Sequence, residues 1–116
     1  MLYTTFTVKD KEYKARLNAK ACVDLEKKLG TNPLNVVVEI ANQKTLPELN
    51  KMLLILQASL TTYNHGITLE KVYSIYDDFV DEGKTLVDLI PIVLDIFKVS
   101  GFFPEDAADE EDVEKN

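Results

Sequence analysis

The sequence predicts an α+β fold that is mostly α: an N-terminal β-hairpin, about five helices behind it, and a disordered acidic C-terminal tail. Three observations carry that expectation. β-Branched and aromatic residues gather before residue 18. Capping residues and isolated glycines then recur at helix-sized intervals, and seven acids crowd residues 105–116. A chain of 116 residues with 46% apolar content can bury one core of modest size. The expected organisation is a single helical domain with its hairpin over residues 1–104, followed by the tail over 105–116.

Leu2-Tyr3-Thr4-Thr5-Phe6-Thr7-Val8 reads as the first strand, Lys9-Asp10-Lys11 as a polar turn, and Tyr13 to Leu17 as the return strand. Asn18 then caps a helix from Ala19 to Leu29, with Cys22, Leu25 and Leu29 at helical spacing and Gly30 ending it in the left-handed conformation. Asn32-Pro33 repeats the start signal, a cap followed by proline at the first helical position. The run Val36-Val37-Val38 that follows suits a strand equally well; the start signal assigns a short helix. Thr45-Leu46-Pro47-Glu48 matches a capping box and opens a helix to about Ser59 that buries Leu46, Leu49, Leu53, Leu56 and Leu60.

Asn64-His65-Gly66 is a turn, and Thr68 caps a helix whose Leu69, Val72, Tyr73, Tyr76, Phe79 and Val80 share one face, closed by Gly83. Thr85 with Asp88 resembles a second capping box and opens a last helix to about Ser100, ended by Gly101. From Pro104 onward there is too little apolar surface to offset the entropy of ordering. No internal repeat is visible.

Composition excludes several function classes. Cys22 is the only cysteine, so an internal disulfide and a cysteine-based zinc site drop out. His65 is the only histidine, which removes zinc sites built on two or three histidines. No run approaches the roughly 18 apolar residues of a membrane span, and Met1 to Asp10 has neither the basic start nor the apolar run of a leader; a cytosolic protein is expected. The net charge of −7 argues against nucleic acid as a partner. Seven acids against Lys115 give residues 105–116 a charge of −6, which leaves residues 1–104 at −1.

Candidate chemistry is sparse. Asp77, Asp78, Asp81 and Glu82 form an acidic cluster that matches no calcium-loop spacing and reads as a solvated face. His65 has no serine, cysteine or second histidine near it in sequence and reads as a surface residue; Cys22 reads as a buried, inert thiol. The four glycines are isolated, so no phosphate loop is present, and no cofactor is expected. The last helix is different. Between Leu86 and Val99 its clearly polar side chains, Asp88, Asp95 and Lys98, fall with Pro91 on one narrow stripe. A helix apolar on every other side is either the central helix of its own domain or covered by another chain. Pro91 removes one backbone hydrogen bond and predicts a bend. Phe102 and Phe103 follow at the junction with the tail.

Tyr13-Lys14-Ala15-Arg16-Leu17, the stretch from Ala21-Cys22-Val23-Asp24-Leu25 through Glu26-Lys27-Lys28-Leu29-Gly30, Asn32-Pro33-Leu34, and Ser100-Gly101-Phe102-Phe103-Pro104 together resemble tail assembly chaperones of siphophages and prophages of Gram-positive bacteria. The resemblance spans about residues 2–104 and its motifs are structural rather than catalytic. It implies a non-enzymatic protein of the host cytoplasm that holds the tape measure protein soluble while tail tube protein polymerises around it, and that is absent from the virion. It also implies self-association, and a longer form made by programmed frameshifting. If Glu114 and Lys115 use GAA and AAA codons, the gene reads A-AAA-AAY at Lys115-Asn116, a sequence on which ribosomes slip back by one base. On this reading Leu89, Ile92, Val93, Ile96, Phe97, Phe102 and Phe103 are the expected contact surface. The rivals are an acidic inhibitor that imitates DNA, and a small enzyme using the carboxylates of Asp77 to Glu82.

Overall fold

The computed structural model describes residues 2–42 and 46–103. The expected disorder of the tail therefore lies outside the described residues, as does Thr45 of the expected capping box. The chain runs β1 (Thr4–Val8), β2 (Lys11–Ala15), α1 (Ala19–Leu29), α2 (Leu34–Asn42), α3 (Leu49–Thr61), α4 (Leu69–Asp81) and α5 (Leu86–Val99). A hairpin followed by five helices is the predicted architecture.

β1 and β2 pair antiparallel, with Phe6 opposite Tyr13 and Val8 opposite Lys11. Alternation sends Phe6, Val8, Tyr13 and Ala15 to the buried face, where the rings of Phe6 and Tyr13 stack at 5.4 Å. The turn is tighter than predicted. Lys11 belongs to the ladder, and only Lys9 (φ 47°) and Asp10 (φ 65°) connect the strands. Positive φ at both residues matches the right-handed twist of the flanking strands, which the negative-φ geometry of an ordinary type I turn would splay.

α1 matches its prediction: Asn18 Oδ1 accepts the Ala21 N–H at 2.9 Å and Gly30 ends the helix at φ 71°. Asn32 Oδ1 likewise accepts the Leu34 N–H at 2.9 Å, which begins α2. The valine run is helical, since Val36 is buried, Val37 half-buried and Val38 exposed, a graded pattern that a strand's alternation would not give. α3 departs from expectation. It starts at Leu49 with Glu48 as its N-cap, and the Glu48 carboxylate meets Lys51 at 3.4 Å. Pro47 is the cause: it is fully buried and keeps Leu46 out of the helical region. Leu46 and Leu49, expected in the core, are exposed, while Met52, Ile55 and Ser59 join Leu53, Leu56 and Leu60 inside.

Thr68 caps α4, its Oγ1 accepting the Lys71 N–H at 3.1 Å. Thr85 caps α5, and the Asp88 carboxylate accepts the Thr85 N–H at 2.8 Å. The helix is continuous through Pro91, whose side is solvent-exposed.

α3 is the central element, packing against α1, α4, α5 and β2, while β1 touches α4 and α5. Three ends are tied together where β2 leaves the hairpin. The Arg16 N–H donates to the Ser59 carbonyl at 3.0 Å. The Thr62 hydroxyl donates to the Arg16 carbonyl at 2.9 Å, and Ser100 Oγ accepts the Leu17 N–H at 2.9 Å. The backbone after the strand is thus satisfied by the C-terminal ends of α3 and α5.

Candidate protein-binding surface

The structure divides the seven residues expected to form a contact surface. Leu89, Val93, Ile96 and Phe97 are buried in the chain's own core, because α5 turns that face onto α3 and β1. Their place as contact residues is corrected: a side chain already covered by its own fold offers nothing to a partner. Ile92, Phe102 and Phe103 are half-buried and packed against the same core. Phe102 sits edge-on to Phe97 at 4.9 Å between ring centroids, and its N–H donates to the Phe97 carbonyl. Asp88, Pro91 and Asp95 are exposed along the predicted stripe, and Lys98 is half-buried.

The open apolar surface lies on α4. The expected face is rotated: Val72, Ile75 and Phe79 point into the core, Leu69 and Tyr76 are half-buried, and Tyr73 and Val80 are left 39% and 45% exposed. Leu69, Tyr73, Tyr76 and Val80 follow one another at i, i+4, i+7 and i+11, a stripe beside the core face. Facing it is the start of α3, where Leu49 is 37% exposed above the buried Leu53. Between the two helices a cleft of about 330 Å³ is lined by Leu49, Asn50, Leu53, Tyr73, Tyr76 and Asp77. A signal for it was present in the sequence. α4 carries seven apolar residues among its 13, spread over a wider arc than one core contact covers.

Asp77 is the one charged side chain among the residues lining this cleft. Away from it, on the opposite side of α3, Lys51 is held at 3.4 Å by both Glu39 and Glu48. Glu39 first, then Glu48, raise the Lys51 ammonium above its ordinary pKa. Farther along, the hairpin turn supplies an unforeseen partner to the acidic cluster of α4: Lys9 Nζ lies 3.3 Å from Asp78 and 3.8 Å from Asp81. Sequence could not pair them, since they are separated by most of the chain.

A second cleft of about 330 Å³, lined by residues that include Asn18, Lys20, Asp24, Thr61, Thr62 and His65, has a different character. Asn18 is spent on the helix cap, Lys20 on Asp24 at 3.0 Å, Thr61 on the Ala58 carbonyl and Thr62 on Arg16. The Lys20 hydrogen bond lowers the Asp24 carboxyl below its usual range. These polar groups therefore hold helix ends rather than wait for a ligand. His65 is exposed, and Cys22 is half-buried rather than fully buried. Desolvation, then Glu26, push its thiol up, away from the reactive thiolate. Among the described residues no three metal-ligating side chains converge, and no buried side-chain polar atom lacks a partner.

The chain belongs to a family of unknown function (DUF6096), whose profile matches residues 2–114. No curated protein and no solved structure matches it.

Proposed function

On the premise of that family membership, which carries no assigned activity, we propose that the protein is a non-enzymatic tail assembly chaperone of a siphophage or prophage. It binds the tape measure protein and keeps it soluble while tail tube protein assembles. The observation that carries this reading is the row of tyrosine, leucine and valine side chains left open on α3 and α4 beside a fully packed core. Large side chains of this kind, exposed in a group rather than singly, suit protein binding. The family resemblance in the sequence supplies the identity of the partner. The chaperone acts in the host cytoplasm, self-associates, pairs with a longer frameshifted form of itself and leaves before the virion is complete; no described helix is long and apolar enough to cross a membrane. An acidic DNA mimic fits this surface less well. Asp24, Glu39, Glu48, Asp78 and Asp81 are paired with lysines of the same chain, so they are not free to imitate a phosphate row.

The test is co-expression with the tape measure protein encoded downstream, followed by size-exclusion chromatography with light scattering. The expected result is an otherwise insoluble tape measure recovered in one peak with this chain, whose mass gives the stoichiometry. If neither this chain nor its longer form rescues it, the proposal fails.

A further inference from the structure

We propose that β1 is a pairing edge: its open side takes up the same strand of a second copy, antiparallel, so that two hairpins join into one sheet. The inference rests on the self-association contained in the function above and assigns it a surface.

Hydrogen bonding gives the first argument. The sheet is two-stranded, so each strand has one side without a strand neighbour. A two-residue turn makes Val8 and Lys11 a hydrogen-bonded pair. The alternation of an antiparallel ladder then bonds Phe6 to Tyr13 and Thr4 to Ala15 in the same way. The backbone N–H and C=O groups of Thr5 and Thr7 on β1, and of Glu12 and Lys14 on β2, therefore point away from the ladder. On the β2 side α3 closes off the continuation of this row. The Arg16 N–H donates to the Ser59 carbonyl, and the Arg16 carbonyl accepts the Thr62 hydroxyl. Among the described residues no such bond reaches the backbone of Thr5 or Thr7, and both residues are exposed.

The character of the strand decides the occupant. Edge strands are ordinarily blunted by charge, proline or a bulge. β2 carries Lys11, Glu12 and Lys14, whereas Thr4–Val8 has no charged residue and no proline, and its register runs without a bulge. Such an edge is complementary to itself. With a twofold axis at Phe6, Thr5 of each copy lies opposite Thr7 of the other, and all five residues of β1 find a partner. Any other antiparallel register leaves some of them unpaired. The outward N–H groups of Thr5 and Thr7 then donate to the outward carbonyls of Thr7 and Thr5 across the axis. Facing threonines make a favourable cross-strand pair. No charge meets its own equivalent, because this register sets Lys9 opposite Tyr3.

The experiment uses the full chain, with sedimentation equilibrium over a wide range of concentration and amide hydrogen exchange by NMR. A dimer that forms with rising concentration is expected. Exchange of the Thr5 and Thr7 amides should slow at least about tenfold as it forms, while that of Glu12 and Lys14 stays unchanged. Thr5→Pro removes an N–H that the hairpin ladder does not use, so it should keep the circular dichroism of the chain and weaken the dimer at least about tenfold. Thr5→Lys combined with Thr7→Lys sets equal charges opposite one another and is expected to give a monomer. Thr5→Lys combined with Thr7→Glu sets opposite charges together and is expected to restore the dimer. A chain that is monomeric at every concentration overturns the proposal, as does a dimer that survives both Thr5→Pro and the two lysines. A lysine–glutamate variant that associates no better than the two-lysine variant overturns the register and with it the proposal. Protection of Thr5 and Thr7 only in a complex with the tape measure also overturns it, because the edge would then take a strand of another protein. The two readings separate in co-expression: failed rescue strikes the function above and leaves the β1 pairing standing, whereas a monomeric chain strikes the pairing whatever the rescue.

Discussion

Ile92 and Ile96 lie about one turn apart on α5, and the sequence treats them as equals. In the structure Ile96 is fully enclosed and Ile92 only half-covered. A carboxylate at position 96 has no partner and no water, and an uncompensated buried charge costs several kcal/mol, a large share of the roughly 5–15 kcal/mol that holds a domain of this size. Ile96→Asp is expected to unfold the chain at 25 °C, whereas Ile92→Asp should fold and lose less than about 2 kcal/mol; urea denaturation followed by circular dichroism separates them. A folded Ile96→Asp would mean that α5 is not the core helix described. Single residues also explain where pattern reading stopped. Leu46 and Leu49 fit the leucine spacing of α3, yet Pro47 delays the helix and turns both outward.

At the scale of elements, the hairpin turn and α4 illustrate a contact that neither segment encodes alone. The tight turn places Lys9 over Asp78 and Asp81, and the Asp78 hydrogen bond raises its pKa above the ordinary lysine value. A lysine whose pKa is raised on folding contributes stability that is fully present below its unfolded pKa, about 10.4, and is lost as pH rises through the folded one. The unaltered chain is therefore expected to be slightly more stable than Lys9→Gln at pH 7. The difference should shrink with added salt, because the pair is half-exposed, and disappear once the pH has risen past the raised pKa of Lys9. A difference that persists there would point to packing of the lysine stem rather than to its charge. Burial of Tyr13 acts in the same direction, since its raised pKa makes the folded chain the stronger proton holder in that range.

For the whole molecule, the core is organised around α3, and α2 is attached most lightly. Val36 is the one residue of α2 that is fully enclosed, and the Glu39–Lys51 contact is half-exposed. α3 by contrast encloses six residues, and its end joins the clamp on Arg16 and Leu17. Local opening follows buried contact, so amide hydrogens of α2 are expected to exchange by opening of that helix alone. Those of Met52, Ile55 and Leu56 should await global unfolding. Hydrogen exchange with mass spectrometry checks the order; equal protection of α2 and α3 would mean that α2 is held by contacts beyond those described.

Most of what depends on neighbours in the chain was legible in the sequence, the start of α3 and the two-residue hairpin turn excepted. The caps at Asn18, Asn32, Thr68 and Thr85, the stop at Gly30, the five helices and the presence of the hairpin each follow from backbone hydrogen bonding, periodicity and residue preference within a few residues. Which side of an apolar helix faces inward does not. α4 has more apolar surface than one neighbour can cover, and only its seating between α3 and β1 selects Val72, Ile75 and Phe79 and leaves Tyr73 and Val80 outside. α5 is the converse case: a face that looked free for a partner is consumed by its own domain. The sequence thus signals surplus apolar surface on α4 but not the cleft it forms with α3, because burial is a property of two surfaces and the sequence lists only one at a time.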